Sequence, residues 1–238
     1  MQCFTRRLPA CGWCPPIVAT VGDAKRNQRV CGVDGCPGGW VVADTAGCRV
    51  VPQLSTIAAD YDLVGIDMPI GLSADGRRQC DSDARKALFH RASTVFSAPP
   101  RPLLHLSDYA LANAESRRRF GRGISKQSFM IWPKIRELDV LAQAHPGRFI
   151  EVHPECSFAQ MAGEPLPSKH SEAGKNSRKK FLENFLGNVP AAPRGARIDD
   201  VLDAHAVLWS TLRFVRNEHA SYGDEALDAV GLTMRIVA

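Results

Sequence analysis

Two apolar runs in this chain each end in an aspartate, and that pairing narrows the folds open to it. Arg29–Asp34 reads RVCGVD, and Leu63–Asp67 reads LVGID. Short apolar runs bounded by turn formers are the pattern of strands buried on both faces, as in a parallel sheet covered by helices. A carboxylate that closes such a run is costly unless it is paired or coordinated. Two of them at the carboxyl ends of neighbouring parallel strands would face one crevice, where open α/β sheets hold ligands. The simpler alternative is that each aspartate caps the turn that follows it. Repetition of the same setting favours the shared site.

The rest of the chain supplies the other elements of such a sheet. Cys36-Pro-Gly-Gly39 is turn chemistry, Trp40–Asp44 reads as a second strand, and Ala46-Gly47 turns into a third, Arg49–Pro52. Residues 29–52 therefore read as an antiparallel meander. A short helical connection over Ser55–Asp60 leads into LVGID, which Pro69 and Gly71 terminate. From about 75 to 147 the periodicity turns helical and rich in Arg and Ala, which predicts a helical insertion. Arg148–His153 (RFIEVH) is a fifth strand, followed by helices over Cys156–Ala162, Lys175–Leu186 and Asp199–Asn217. This order predicts an α/β fold with a mixed five-stranded sheet, a meander plus parallel strands, flanked by helices.

Further acids fall where apolar residues are expected. Asp200 and Asp203 are three apart near the start of the last helix, so they share one face. That face continues through Val207 and Phe214, which points Asp203 toward the core. Capping explains Asp199 or Asp200 at a helix start, but not Asp203 on the packing face. In the fifth strand Glu151, His153 and Glu155 alternate onto one face, unless Pro154 ends the pairing. That face is expected to border the same crevice. There Glu151 and His153 join the catalytic candidates, with His153 moving a proton or touching a leaving phosphate; the alternative is a hydrogen-bonded structural histidine.

Converging carboxylates repel one another, and an all-oxygen ligand set favours Mg²⁺ or Mn²⁺ over zinc. The net charge of +5 suits a polyanionic partner without demanding one. Arg117, Arg118, Arg119, Arg122, Lys126, Lys134 and Arg136 crowd the insertion, and Lys169, Lys175, Arg178, Lys179 and Lys180 follow EVHPE. Charge runs are usually solvated helix faces, the reading adopted for Arg117–Arg119. Lys126, Lys169, Lys175 and Arg178 are the expected contacts to a phosphate backbone. Gly121–Gln127 (GRGISKQ) has the composition of a small anion-binding turn.

No apolar run is long enough to span a bilayer. Residues 1–28 differ in composition from the rest and read as a poorly ordered extension before a single domain over 29–238. The Cys11-Gly-Trp-Cys14 motif there lacks a second CxxC and is followed by two prolines, so it reads as ordinary thiols rather than a redox or zinc motif. Cys31 and Cys48 are expected in the core, and a reducing cytosol is the expected compartment.

GVDGCPGGW (32–40), GIDMPIGL (65–72), GISKQSF (123–129), EVHPE (151–155) and DDVLDA (199–204) together resemble a prokaryotic family catalogued as domain of unknown function four-twenty-nine. That family is described as predicted RNase H-like nucleases. The likeness runs from about Val30 to the C-terminus. An acid ending the first strand, another ending the fourth and D-x-x-D-A on a late helix also resemble the RNase H-like superfamily, especially its RuvC-type resolvases. The resemblance implies Asp34 as central metal ligand, completed by Asp67 and by Asp203 or Asp200. It further implies two-metal hydrolysis of phosphodiester bonds in DNA or RNA, and a resolvase-like homodimer. Two other classes compete. Actin-like ATPases and sugar kinases share the meander, and Gly35–Gly39 would then cradle a phosphate. Such kinases need a duplicated domain, for which 238 residues with one meander are too few. A catalytically inactive nucleic-acid or partner-binding module is the other class, but four uncompensated acids would repel a phosphate backbone.

Overall fold

The turn residues of the meander direct three antiparallel strands: β1 (Val30–Cys36), β2 (Gly39–Asp44) and β3 (Gly47–Val51). Two-residue turns join them, with Cys36 opposite Gly39 and Asp44 opposite Gly47. In this computed structural model residues 28–238 are described; the preceding leader, with its Cys11–Cys14 motif, lies outside them. β4 (Leu63–Ile66) lies parallel to β1, and β5 (Phe149–Glu151) parallel to β4. The mixed five-stranded sheet has the order β3-β2-β1-β4-β5. The Asp67 N–H donates to Val33 O at 2.9 Å, which carries the β1–β4 ladder one residue past β4.

Between β4 and β5 come four helices: α1 (Gln79–Leu88), α2 (Tyr109–Phe120), α3 (Lys126–Met130) and α4 (Trp132–Ala144). The chain then forms α5 (Pro154–Ala162), α6 (Glu172–Leu186) and α7 (Ile198–Val215). α6 starts three residues earlier than its apolar pattern suggests, because the Ser171 hydroxyl accepts from the Gly174 N–H at 3.1 Å and caps it. The connection expected as a helix over Ser55–Asp60 is a single 3₁₀ turn, Leu54–Thr56. A small sheet of β6 (Ser221–Tyr222) and β7 (Ile236–Val237) was not anticipated; two-residue strands are too short to show an alternation.

The two faces of the main sheet are covered differently. Cys31, Val33, Trp40 and Ile66 pack with Ile57, Leu103, Trp132, Ile135 and Leu138 on one side. On the other, Val41 and Ala43 meet Val201 and Ala204, while Val30 and Leu63 meet Val207 and Leu208. α7 thus covers this second face along β1, β2 and β4. Cys31 is a core thiol, as expected, but Cys48 is only partly buried.

α7 approaches the sheet unusually closely, and two glycines permit it. A Cβ on Gly32 would stand 2.2 Å from Ala204 O and Leu208 N, and one on Gly65 would stand 1.9 Å from Thr211 Oγ1. Gly32 and Gly65 are register partners across β1 and β4. Side chains two residues apart in a strand share a face. The Gly-x-Asp spacing in both GVD (32–34) and GID (65–67) therefore puts each aspartate on the side that the glycines open to α7.

Candidate functional site

That arrangement brings three of the expected carboxylates into one pocket. Asp34 on β1, Asp67 just beyond β4 and Asp203 on α7 line a cavity of about 520 Å³. Asp34 and Asp203 are buried and Asp67 half-buried. The Asp34 Oδ1 accepts from the Gly35 N–H at 2.7 Å. Asp203 Oδ2 accepts from Lys169 Nζ at 2.8 Å. Lys169, in the loop between α5 and α6, is half-buried and is the cation held among the acids.

The electrostatics follow from this crowding. Burial, then repulsion from Asp67, Asp203 and Asp200, holds the Asp34 carboxyl well above the ordinary carboxylate range, and Lys169 only partly offsets this. Burial, then Asp203 and Glu155, pushes Asp67 up to about 8, against the pull of Lys169. Burial also raises Asp203, with Lys169 pulling it back. Burial would lower Lys169, but attraction to Asp203, Asp67 and Asp34 overbalances it and the ammonium is held above its usual value.

Other expected site residues have different duties. Asp200 sits in the third position of α7, and its Oδ2 accepts from the Arg197 N–H at 2.8 Å; its carboxylate is spent on capping the helix. It does not line the pocket, although its charge acts on Asp34. Neither Asp199 nor Asp200 is the N-cap itself, which is Arg197.

Glu151 lines the pocket but is fully engaged: it accepts from Arg78 at 2.7 and 2.8 Å and from the Ile70 N–H at 2.7 Å. Arg78 and the Ile70 amide thus hold its orientation. Arg78 also binds Asp81 and the carbonyls of Ile70 and Gly71. His153 is half-buried in the pocket wall, with Nε2 3.3 Å from Thr94 O. Its buried Nδ1 has no partner among the described residues. Burial lowers its pKa, so the ring is neutral near pH 7. With the Nε2 proton directed at a carbonyl, Nδ1 keeps its lone pair as an unused acceptor.

Of the expected substrate cations, only Lys169 reaches the pocket. Arg178 does not: its side chain is 1% exposed, doubly bonded to Glu155 at 2.9 and 2.6 Å, and bonded to Pro167 O and Gly174 O. Lys175 is exposed on the first turn of α6, 3.3 Å from Glu172. Lys126 is exposed over the Tyr109 ring, and its neighbour Gln127 lines the pocket instead.

Other cations line it too: Lys134, one of the basic residues of the insertion, and Arg91, whose buried Nε has no partner among the described residues. The half-buried Lys134 donates to Gly39 O and lies 4.3 Å from the Trp40 ring centroid, and burial lowers its pKa. Its signal in the sequence was position: Lys134 falls between Ile131 and Leu138 at helical spacing, on a face that packs. Arg91, on a 3₁₀ turn, had none. The Gly35–Gly39 turn packs against the loop before α7, the Gly38 N–H donating to Gly195 O at 2.9 Å, so that amide is spent within the protein.

All-oxygen donors suit a hard divalent ion, and Asp34, Asp67 and Asp203 are such a set. Among the described residues no three His, Cys, Asp or Glu side chains form a ready-made metal cluster, and the cation seated among these acids is Lys169.

A model of a protein family of unknown function, DUF429, matches residues 32–227. The chain belongs to this family. The match begins at Gly32 and so takes in both Gly-x-Asp segments, the EVHPE strand and the start of α7 with Asp203. No curated protein and no solved structure matches the chain. Among the described residues no helix is long and apolar enough to cross a membrane.

Proposed function

We propose that this member of the family is a metal-dependent nuclease of the RNase H-like superfamily, hydrolysing phosphodiester bonds of DNA or RNA in the cytoplasm. The observation that carries the reading is the convergence of Asp34, Asp67 and Asp203, from three different elements, in one pocket with Lys169 paired to Asp203. The strand order, with Asp34 near the end of β1 and Asp67 just after β4, supports the superfamily assignment. Asp34, Asp67 and Asp203 would hold Mg²⁺ or Mn²⁺. Such an ion would lower the pKa of a water and offset charge on the leaving oxygen.

The chain's own residues supply the rest. Lys134 and Arg91 bring positive charge to the pocket for a phosphate that the carboxylates would otherwise repel. The Nδ1 of His153 is an open acceptor for a water or hydroxyl proton. Lys169 balances part of the acid charge while the pocket is free of substrate.

The test is a panel of single-stranded, duplex, hybrid and junction substrates with Mg²⁺ or Mn²⁺. Asp34→Asn and Asp203→Asn should each lower cleavage by at least about a hundredfold, the scale of a lost ligand environment. Both variants should stay folded, because neutralising a repelled buried acid relieves strain. Cleavage that persists in either variant, or wild type that cuts nothing on the panel, refutes the assignment.

A further inference from the structure

A second cavity of about 500 Å³ shares a wall with the carboxylate pocket: Ser93, Val95 and Phe96 border both. Its opposite side is built from Arg122, Gly123, Ile124 and Ser125, the very turn whose composition suggested anion binding. Two arginines face it, and neither has a carboxylate within ion-pair distance among the described residues. Arg85 donates to Val95 O at 3.2 and 3.0 Å and to Ser97 Oγ at 3.0 Å, while Arg122 donates to Asp75 O. Burial lowers the Arg122 pKa; the charges of Arg77 and Arg85 lower it further, and Asp75 and Asp81 oppose them. Both guanidiniums line this one cavity, each bonded to backbone carbonyls rather than to a carboxylate.

The remaining lining mixes serine hydroxyls, among them Ser116 and Ser128, with Ala98, Pro99, Phe96 and Trp132. Trp132 is wholly buried, and its Nε1–H has no acceptor among the described residues. A buried N–H left unpaired is costly, and a ligand acceptor would satisfy it. Phe96, 45% exposed, presents an aromatic side chain on the wall between the two cavities. The volume is in the range of small-molecule sites. Two arginines without carboxylate partners, serine hydroxyls, one unmet donor and an exposed ring together match a phosphate carrying a flat heterocycle.

We propose that this cavity is a nucleotide subsite that takes one nucleoside monophosphate unit, its phosphate on Arg85 and Arg122 and its base against Phe96 and the Trp132 N–H. The unit is either a free nucleotide or the residue of a strand next to the phosphate in the carboxylate pocket. Only the second source rests on the nuclease reading.

Calorimetry on the full chain with the four nucleoside 5′-monophosphates, inorganic phosphate and a non-cleaved single-stranded oligonucleotide tests this. At least one monophosphate should bind, more tightly than inorganic phosphate. Arg122→Gln should weaken it about tenfold or more, the scale of a lost charged hydrogen bond. Lys179→Gln should leave it unchanged, since Lys179, on α6, lines neither cavity. The indole N–H resonance of Trp132, identified by its loss in Trp132→Phe, should move on binding. An oligonucleotide that competes with the monophosphate and weakens equally in Arg122→Gln marks the strand as the source; a monophosphate that binds alone marks the free nucleotide. Binding without any cleavage would uphold the subsite while the nuclease reading falls. No binding of any monophosphate or oligonucleotide, or binding that Arg122→Gln leaves intact, overturns the proposal.

Discussion

Replacing Arg178 tests whether a residue with the composition of a substrate contact is instead a structural one. Its guanidinium is 1% exposed and makes four hydrogen bonds, two to Glu155 and one each to Pro167 O and Gly174 O. It also lies 5.4 Å from the Phe158 ring centroid. In Arg178→Met the methionine fills much of the volume but leaves the buried carboxylate of Glu155 and the Pro167 carbonyl without the donors they have here. Breaking a buried ion pair from one side costs about 3–5 kcal/mol. For a domain of this size each kcal/mol lowers the thermal midpoint by roughly 2–4 °C, so the expected drop is about 6–20 °C. Differential scanning calorimetry measures it directly. A double variant, Arg178→Met with Glu155→Met, removes both charges and should recover at least half the loss, because a well-packed apolar pair is often as stable as the ion pair it replaces. A single variant whose midpoint falls by less than about 3 °C, roughly 1 kcal/mol, would refute the reasoning.

Three further outcomes are expected. In metal-free protein burial and the neighbouring acids push the Asp67 carboxyl up to about 8, far above an unfolded aspartate, so the folded state holds the extra proton; the Asp67 contribution to stability should be fully present below about pH 4 and be lost as pH rises through about 8. Denaturant midpoints across that range should show the slope, and Asp67→Asn should flatten it. Gly32→Ala forces a Cβ to within 2.2 Å of α7 backbone atoms, and its loss in calorimetry should lie at or above the top of the roughly 1–3 kcal/mol range for overpacking. Asp200→Ala should cost about 1 kcal/mol in chemical denaturation through the lost cap. Asp203→Asn should cost nothing in stability while removing activity, so the two acids of one helix separate cleanly.

Much of the sheet was legible because β1, β2, β4 and β5 are apolar runs cut by Pro, Gly and Asp, a signal that tertiary packing reinforces rather than overrides. Asp34, Asp67 and Asp203 were legible for the opposite reason, as acids out of place on packing faces. What distance decides was not legible. Nothing in EVHPE says that Glu151 and Glu155 are neutralised by Arg78 and Arg178, residues 73 and 23 positions away. Asp200 and Asp203 look equivalent as letters, yet one faces a helix terminus and the other the pocket. The Gly-x-Asp repeat was on the page as sequence, but its meaning depended on Gly32 lying opposite Gly65, which register alone reveals.

That glycine pair has a consequence for how the carboxylate pocket can vary. Gly32 meets the α7 backbone directly and Gly65 meets the Thr211 and Val207 side chains, so the separation between the helical acid and the two strand acids is a tight gauge. No graded series of residues at position 32 can widen it slightly, as even a methyl group there meets the α7 backbone at 2.2 Å. Fine adjustment of the pocket is left to the mobile-sided partners around it, Lys169, Lys134 and Arg91, which can lengthen, shorten or change sign without moving the sheet. Variation in what the protein accepts is therefore expected at its cations, and loss of the fold at its glycines.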